Sequence, residues 1–457
     1  MNRLEILHRL PYPLKVTAAS TWGYYLNWWR YGIRSEEFSQ AALEHEYMDK
    51  EIADKLQEEN IARMLHHSAT TVPYYIDQWH QRRKAGDQAS WEILENWPVL
   101  KKDALRKNPK QLLTKKSRGR FLYKEYTSGS TGTPLVLWQS RKTLIRWYAL
   151  FDARVRQWNH VSRKDNWAII GGQRILPFQH KDPPFWVWNQ AFKQLYLSSY
   201  HIAESNIESY MVALKQHQIR YVLGYPSSLT SMARFVINNN IDAPSLEVIF
   251  SNAESLSDYQ RTLISKAFHC PVINTYGMSE LTCGASECQY GSMHLWPEAG
   301  KVEIMDDKAD ELLQSPEVGR IIATGLLNDD MPLIRYETGD RGFLINGMCQ
   351  CGRNLPMIGD IEGRIDDMIQ TIDGRKIGRL DPIFKADIPI QEAQIIQESI
   401  DTIRIKFVPS LGYEHDHLLN KRLRDYLGNM NFVLEKVDQI PRGPNGKFKA
   451  VISRVKY

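Results

Sequence analysis

The run YVLGY at 221–225, followed by LEVIF at 246–250 and PVINTY at 271–276, decides how this chain is read. Each run is short, apolar and rich in β-branched or aromatic residues, and helical spacing stands before each one. Ile207, Met211 and Leu214 mark the first helix, a second runs to Asn239, and a third lies around 257–268. Alternation of this kind implies right-handed crossovers and a parallel sheet, hence an α/β fold. Ligands in such sheets sit at the carboxyl ends of strands. Those ends are Gly224-Tyr225-Pro226, Ser251-Asn252-Ala253-Glu254 and Tyr276-Gly277.

Working toward the N-terminus, Leu144, Trp147, Phe151, Val155 and Trp158 fall at helical steps behind Ser140, a natural cap. Phe121–Tyr126 is strand-like, and residues 36–67 read as one long helical stretch that Pro73 ends. Residues 16–29 (VTAASTWGYYLNWW) are too short for a spanning helix, which needs about 20 apolar residues. They read as a helix whose aromatic face packs on the body. Peripheral membrane contact stays open as an alternative, because Trp22, Tyr24, Tyr25, Trp28 and Trp29 are interface-type residues.

Toward the C-terminus, 293–345 holds shorter strands with Gly and Pro turns. A hairpin is expected around Asp373-Gly374, then strands and a helix near 414–427. The expected division is a large domain over 1–365, with a mostly helical lead-in to 120, and a small α+β unit over 366–457. A chain of 457 residues exceeds what one core usually supports, which agrees with two domains. A net charge of +5 is too mild and dispersed to make nucleic acid the default partner, and five cysteines do not make a disulfide scaffold. The expected compartment is the cytoplasm.

Residues 126–134 read YTSGSTGTP. Gly129 and Gly132 allow unusual backbone angles, so consecutive N–H groups can turn toward an anion, and Thr127, Ser128, Ser130 and Thr131 add donors. An ordinary polar loop has the same composition. The motifs downstream tip the balance. Tyr276-Gly277-Met278-Ser279-Glu280 closes a strand; Tyr336-Glu337-Thr338-Gly339-Asp340, Gly363-Arg364-Ile365-Asp366-Asp367 and Gly443-Pro444-Asn445-Gly446-Lys447 follow in order. With these five motifs the chain resembles the phenylacetate–CoA ligase-like family of adenylate-forming enzymes, the capsular-polysaccharide (CapK-type) branch most of all. Weaker similarity in LPYPL, in VPYY at 72–75 and in LKKDALR at 100–106 extends it over nearly the whole chain.

The resemblance implies a large adenylate-forming domain and a small mobile α+β lid. It implies a ligase in which a carboxylate attacks the α-phosphate of Mg·ATP to give acyl-AMP. An acceptor (CoA, an amine or a hydroxyl) then displaces AMP, with polysaccharide biosynthesis as a setting. The 127–132 segment would grip the β/γ-phosphates, Glu280 would help hold Mg2+, and Tyr276 with Gly277 would lie against adenine. Ala253 and Glu254 would line the adenine, Asp340 the ribose hydroxyls, and Arg364 the ribose or phosphate. Lys447 would bridge the carboxylate and α-phosphate, and Asp366 would be the hinge. Gly224, Tyr225, Pro226 and Ser227 would begin the acid pocket; Trp186, Trp188, Tyr196 and Tyr200 are either further lining or, as such residues more often are, plain core.

Two departures weaken any assignment of phenylacetate or CoA: Thr133 stands where the family commonly has Lys, and Glu337 where Arg is frequent. Two other readings are an adenylyltransferase that leaves AMP on its product, of the deazaflavin-cofactor type, and a non-catalytic component of polysaccharide assembly. Finally, Cys288, His294, Cys349 and Cys351 form a four-ligand set suited to structural zinc, against the plain alternative of buried thiols. Cys270 and Cys283 read as core.

Overall fold

The computed structural model describes residues 10–126, 135–173, 175–177, 180–361, 369–372, 376–377, 380–384, 388–410, 412–441 and 448–455. Helix α1 (Tyr12–Arg30) begins with Pro at its first turn, where a missing N–H costs nothing. The expected single helix over 36–67 is two: α2 (Ser35–His45) and α3 (Lys50–Thr71). Asp49 caps α3 by accepting from the Glu51 N–H, and Glu46 is drawn inward by tertiary ion pairs, so the chain turns between them. Pro73 does not merely stop α3; it opens α4 (Pro73–Lys84). Helix α5 (Lys102–Lys107) follows, then strands β1 (Tyr123–Tyr126) and β2 (Val136–Gln139), an antiparallel pair with Tyr126 opposite Val136.

Ser140 caps α6 (Arg141–Phe151) as expected, accepting from the Thr143 N–H. Next come β3 (Trp167–Gly171), β4 (Trp186–Asn189), β5 (Gln194–Ser198), α7 (Glu204–Gln216), β6 (Tyr221–Gly224), α8 (Pro226–Asn238), β7 (Val248–Ser251), α9 (Asp258–Phe268) and β8 (Val272–Gly277). Strands β5, β3, β6, β7 and β8 are parallel neighbours in that order. The expected parallel sheet is therefore present. Alternate residues face two cores. Val222 and Ile249 pack with α7, α8 and α9, whereas Tyr221, Leu223 and Phe250 pack with Leu144, Trp147 and Leu150 of α6. Cover on both faces is why these strands read as continuous apolar runs.

The sheet continues antiparallel through β9 (Gly284–Glu287) and β10 (Met293–Leu295). Beside it lies a three-stranded sheet of β11 (Gly300–Met305), β12 (Gly319–Gly325) and β13 (Tyr336–Gly342). Strands β14 (Leu344–Ile345) and β15 (Met357–Ile358) complete the edge of the main sheet. Then β16 (Ile369–Gln370) and β17 (Lys376–Ile377) form the expected hairpin. Strands β18 (Ile390–Gln397), β19 (Thr402–Pro409), β20 (Asn431–Lys436) and β21 (Val451–Ser453) make a sheet ordered 20-19-18-21, with α10 (Asp416–Leu427) on it. Ile395, Ile405, Phe407, Leu419 and Leu423 close a core of their own there. The boundary expected at 365/366 lies outside the described residues.

Candidate functional site

Strand order reverses between β3 and β6, because the chain passes from β3 outward to β5 and returns to the other side of β3. The carboxyl ends of such a pair splay apart and leave a crevice. Tyr225 stands in it directly after β6. Its hydroxyl accepts from the Gly172 N–H at 3.0 Å, and burial pushes its phenol up to about 12, so it stays neutral. Tyr196 accepts from Gln173 N–H and Tyr200 donates to the Gly172 carbonyl, so three tyrosines hold the Gly171–Gln173 turn. For Trp186 and Trp188 the core alternative fits, since both pack against the main core cluster. Trp188 stacks on His217, at the end of α7, and Trp186 packs on Tyr210, because β4 runs antiparallel along the outer edge.

Pro226 opens α8, and Ser227 in its first turn gives both its N–H and its hydroxyl to the Glu254 carboxylate, at 3.0 and 3.1 Å. Glu254 follows Ala253, whose φ of +64° swings the chain back over the end of β7. The N–H of Phe448 reaches the same carboxylate at 2.8 Å. Phe448 follows Lys447 in sequence. The C-terminal unit is thus joined to the strand ends through Glu254, beside Gly224 and Ser227.

Tyr276 and Gly277 end β8. The Tyr276 hydroxyl donates to Asp340 Oδ2 at 2.8 Å across 64 residues of sequence. Burial and that carboxylate hold the Tyr276 phenol well above its usual range, so it remains a donor. Asp340 owes its position to a bulge: Ile322 faces Glu337 and Arg320 faces Arg341, so Thr338–Asp340 lie opposite Ile321 alone. Gly339 takes φ +83° at this point, a conformation that disfavours side chains, and the Asp340 N–H donates to Thr338 Oγ1. Lys102 Nζ braces the bulge from α5 by donating to the Thr338 carbonyl at 2.5 Å. Glu280 accepts from the buried Tyr336 hydroxyl at 2.7 Å, and Gln139 Nε2 at the end of β2 donates to the Ser279 carbonyl at 2.8 Å. This last bond ties the stem of the 127–134 segment to the Glu280 turn.

Thr127, Ser128, Gly129, Ser130, Thr131, Gly132, Arg364, Asp366 and Lys447 lie outside the described residues. Glu337 occupies its departure position in an ion pair with Arg320 at 2.9 Å. Sequence reasoning missed Gly171–Gln173, Lys102 and Tyr336. The Gly171-Gly172 pair that ends the strand WAIIG was the available signal for the first; Lys102 and Tyr336 stood inside stretches already quoted for the family, without a role.

Cys288, His294, Cys349 and Cys351 do come together, with one donor atom from each lying within 4.8 Å of the others. Cys288 and Cys349 Sγ are 3.7 Å apart, and Cys351 Sγ is 3.4 Å from His294 Nε2. A tetrahedron with metal–sulfur bonds of about 2.3 Å and metal–nitrogen bonds of about 2.05 Å has edges of about 3.8 and 3.5 Å. The donor set fits such an ion. His294 Nδ1 faces the Leu355 carbonyl at 3.4 Å, which turns Nε2 toward the sulfurs, and burial lowers the imidazole to about 4, so it is neutral. Cys270 and Cys283 are buried, and burial raises both thiols.

A large parallel sheet with strand-end polar groups, carrying a small α+β unit behind it, is the architecture of an adenylate-forming ligase. Residues 39–327 match the AMP-binding enzyme family, and the chain belongs to it. Within that class it is of the phenylacetate–CoA ligase-like, CapK type: residues 369–454 match the CapK C-terminal domain. Protein CapK of Staphylococcus aureus is 28% identical over 411 residues, 88% of this chain and 89% of that one. Phenylacetate-coenzyme A ligase of Thermus thermophilus is 25% identical, over 90% of this chain and 98% of the relative. A 2-hydroxyisobutyryl-CoA ligase in the postadenylation state, in complex with 2-HIB-AMP, shares the fold with a TM-score of 0.69 at 19% identity, covering 90% of this chain and 91% of that one. No helix among the described residues is long and apolar enough to cross a membrane.

Proposed function

We propose that this ligase activates a small carboxylic acid as acyl-AMP and passes the acyl group to CoA or another nucleophile, in polysaccharide biosynthesis. The observation that carries the reading is the meeting of Tyr276 and Asp340 at the end of β8, from motifs 64 residues apart. An aromatic face beside a paired oxygen acceptor is what a nucleoside needs. Tyr276, Gly277, Ala253 and Glu254 receive adenine, and Asp340 receives the ribose hydroxyls. The 127–132 segment takes the β/γ-phosphates, and Glu280 supplies a hard oxygen for Mg2+. The acid enters at Gly224–Ser227, in the crevice where strand order reverses.

A carboxylate oxygen of the acid then bonds to the α-phosphorus while the bond to the bridging oxygen breaks, and pyrophosphate leaves. Lys447 and Arg364 offset the repulsion between the two anions. The acceptor next bonds to the acyl carbon and AMP departs. For this second step the unit over 366–457 turns about Asp366 as a lid, and the Phe448–Glu254 hydrogen bond is a contact that it breaks. Zinc at Cys288, His294, Cys349 and Cys351 has a structural part, supported by edge lengths that suit it. Neither alternative, the AMP-retaining adenylyltransferase or the silent assembly component, is favoured by fold or relatives.

The test is acid-dependent pyrophosphate exchange over a panel of aryl, acyl and sugar acids, with hydroxylamine as trap. Exchange plus a hydroxamate and free AMP is the expected result. A stable AMP adduct would replace it with the adenylyltransferase reading, and absence of exchange with every acid, together with no ATP binding by calorimetry, would end the enzyme reading. Lys447→Ala should abolish exchange. Zinc analysis should return about one ion per chain, lost in the double variant Cys349→Ser/Cys351→Ser.

A further inference from the structure

Helix α1 presents most of its large aromatic side chains to water. The sequence led us to expect the aromatic residues of 16–29 against the body, but of Trp22, Tyr24, Tyr25, Trp28 and Trp29 only Trp29 is buried. Trp22 is 49% exposed, Tyr24 60% and Trp28 50%, with Tyr25 and Leu14 also open. Three polar residues point inward beside Val16 and Ala19. Ser20 Oγ accepts from the Gln190 N–H, Asn27 Nδ2 donates to the Ala191 carbonyl, and Lys15 is buried. Gly23 makes this approach possible, since a Cβ there would stand 2.2 Å from Asn189 Oδ1.

The outward face carries no charged side chain, for the helix has only Lys15 and Arg30 and neither is exposed. Its two exposed threonine hydroxyls are already satisfied: Thr17 donates to the Pro13 carbonyl at 3.0 Å and Thr21 to the Thr17 carbonyl at 2.9 Å. The threonines therefore lose no hydrogen bond on leaving water, and the Tyr24 and Tyr25 hydroxyls suit the polar depth that such rings favour. The aromatic surface also runs on beyond the helix. Trp22 touches Tyr25, Tyr25 and Trp28 touch Trp29, and Trp29 touches Phe121, which is 73% exposed.

Cations rim one end of this surface. Residues 115–121 read KKSRGRF, and among the described residues Lys115, Lys116 and Arg118 have no carboxylate partner. Arg141 lies 4.6 Å over the Trp28 ring and donates to the Trp28 and Tyr31 carbonyls. Trp28, Phe121, Lys116, Arg120, Arg141 and Lys142 enclose a cleft of about 420 Å³. Two carboxylates share that cleft: Asp330 pairs with Arg120, and Asp329 with Arg63 and Lys142. Cations remain in excess.

We infer that the α1 face and its basic rim dock the protein on the surface of an anionic lipid bilayer. Trp and Tyr favour the depth of the headgroups, and Lys and Arg beside them meet the negative surface. A second copy is the weaker occupant, because a two-fold contact through this face would set the same cationic rim near itself. The inference does not depend on the acid or acceptor proposed above.

Flotation of the full chain with vesicles tests it. Binding to phosphatidylglycerol/phosphatidylcholine vesicles should exceed binding to pure phosphatidylcholine, and should fall as salt shortens the Debye length. Trp22→Ser/Tyr24→Ser/Trp28→Ser should lower the affinity by about tenfold or more. Lys115→Gln/Lys116→Gln/Arg118→Gln should flatten the salt dependence, and Tyr259→Ser, an exposed aromatic elsewhere, should change nothing. Unaltered circular dichroism and thermal midpoint keep misfolding out of the result. No association at low salt, or equal binding by the aromatic triple variant, overturns the inference. So does a dimer by light scattering that this variant turns to monomer without any vesicle binding.

Discussion

Two polar regions meet the main sheet, one at the end of β8 and one beside β9 and β10, and they are built on opposite terms. At the strand-end cleft, Asp340 and Glu280 are half-buried, and each carboxylate has one side-chain hydrogen bond among the described residues, from Tyr276 and Tyr336. Around the Cys/His corner, Glu46 accepts from Arg154 at 3.3 Å, Trp158 Nε1 at 2.8 Å and Arg353 at 2.8 Å. Arg154, wholly buried, also grips both oxygens of Glu298, at 2.6 and 2.8 Å, and the Ala42 carbonyl at 3.0 Å. The first pair is left partly open, as ligand-binding carboxylates would be; the second is saturated by its own chain. Arg353, two residues from Cys351, carries the saturated network up to the cysteines.

The sharpest way to break this contrast is to remove the central cation. Arg154→Met leaves Glu46 and Glu298 without their buried partner and should cost about 3–5 kcal/mol of unfolding free energy, read from urea denaturation. Pyrophosphate exchange per folded molecule should hardly change. If exchange collapses while stability holds, the corner is part of the site and the contrast is false.

Glu298 offers a second cut through pH. Burial alone would raise its carboxyl, but Arg154 and the hydrogen bond from His45 outweigh this and hold it at about 2. A carboxylate depressed in the folded state stabilises at every pH above its unfolded value, near 4.5, and that contribution fades as pH falls toward 2. The contribution is on the order of 3 kcal/mol. Wild-type stability should therefore decline across that window more steeply than that of Glu298→Gln. Parallel curves would show that Glu298 is no such anchor.

Sequence legibility follows the same division. The strands YVLGY and LEVIF and the Ser140 cap were legible because local pattern and burial agree there. The four metal-type ligands were legible by residue type, although the corner's second layer, Glu46, Arg154 and Arg353, was not. These three come from separate elements, and only the fold shows them as partners. For the same reason one helix was expected over 36–67: the turn at Glu46–Asp49 answers to Arg154 and Arg353, far along the chain. Periodicity in α1 announced an aromatic stripe but not which side water would take. At the cleft, Asp340 was named from its motif, whereas the bulge that aims it depends on pairing with β12.

On the cleft side, Asp340→Ala should lower kcat/KM for ATP roughly a hundredfold, about 2.7 kcal/mol. Stability should move by less than about 1 kcal/mol, since the carboxylate is half-exposed and a lost surface interaction is small. A loss of several kcal/mol in stability would move Asp340 into the structural class of Glu46 and take the ribose role with it.

Tyr276→Phe separates the two duties of that residue with the smallest effect. The ring that would lie against adenine stays, and only the hydroxyl bonded to Asp340 is removed. That bond steadies the carboxylate while no nucleotide is present, and its net worth is about 1 kcal/mol. The expected result is a change of no more than about fivefold in KM for ATP with kcat kept, checked by steady-state exchange. Tyr276→Leu, which also removes the aromatic face, should cost clearly more. Equal losses in the two variants would mean that the hydroxyl, not the ring, is what the cleft uses. The Tyr276–Asp340 contact would then be a fixed strut like those around Arg154, not the two walls of a nucleoside pocket.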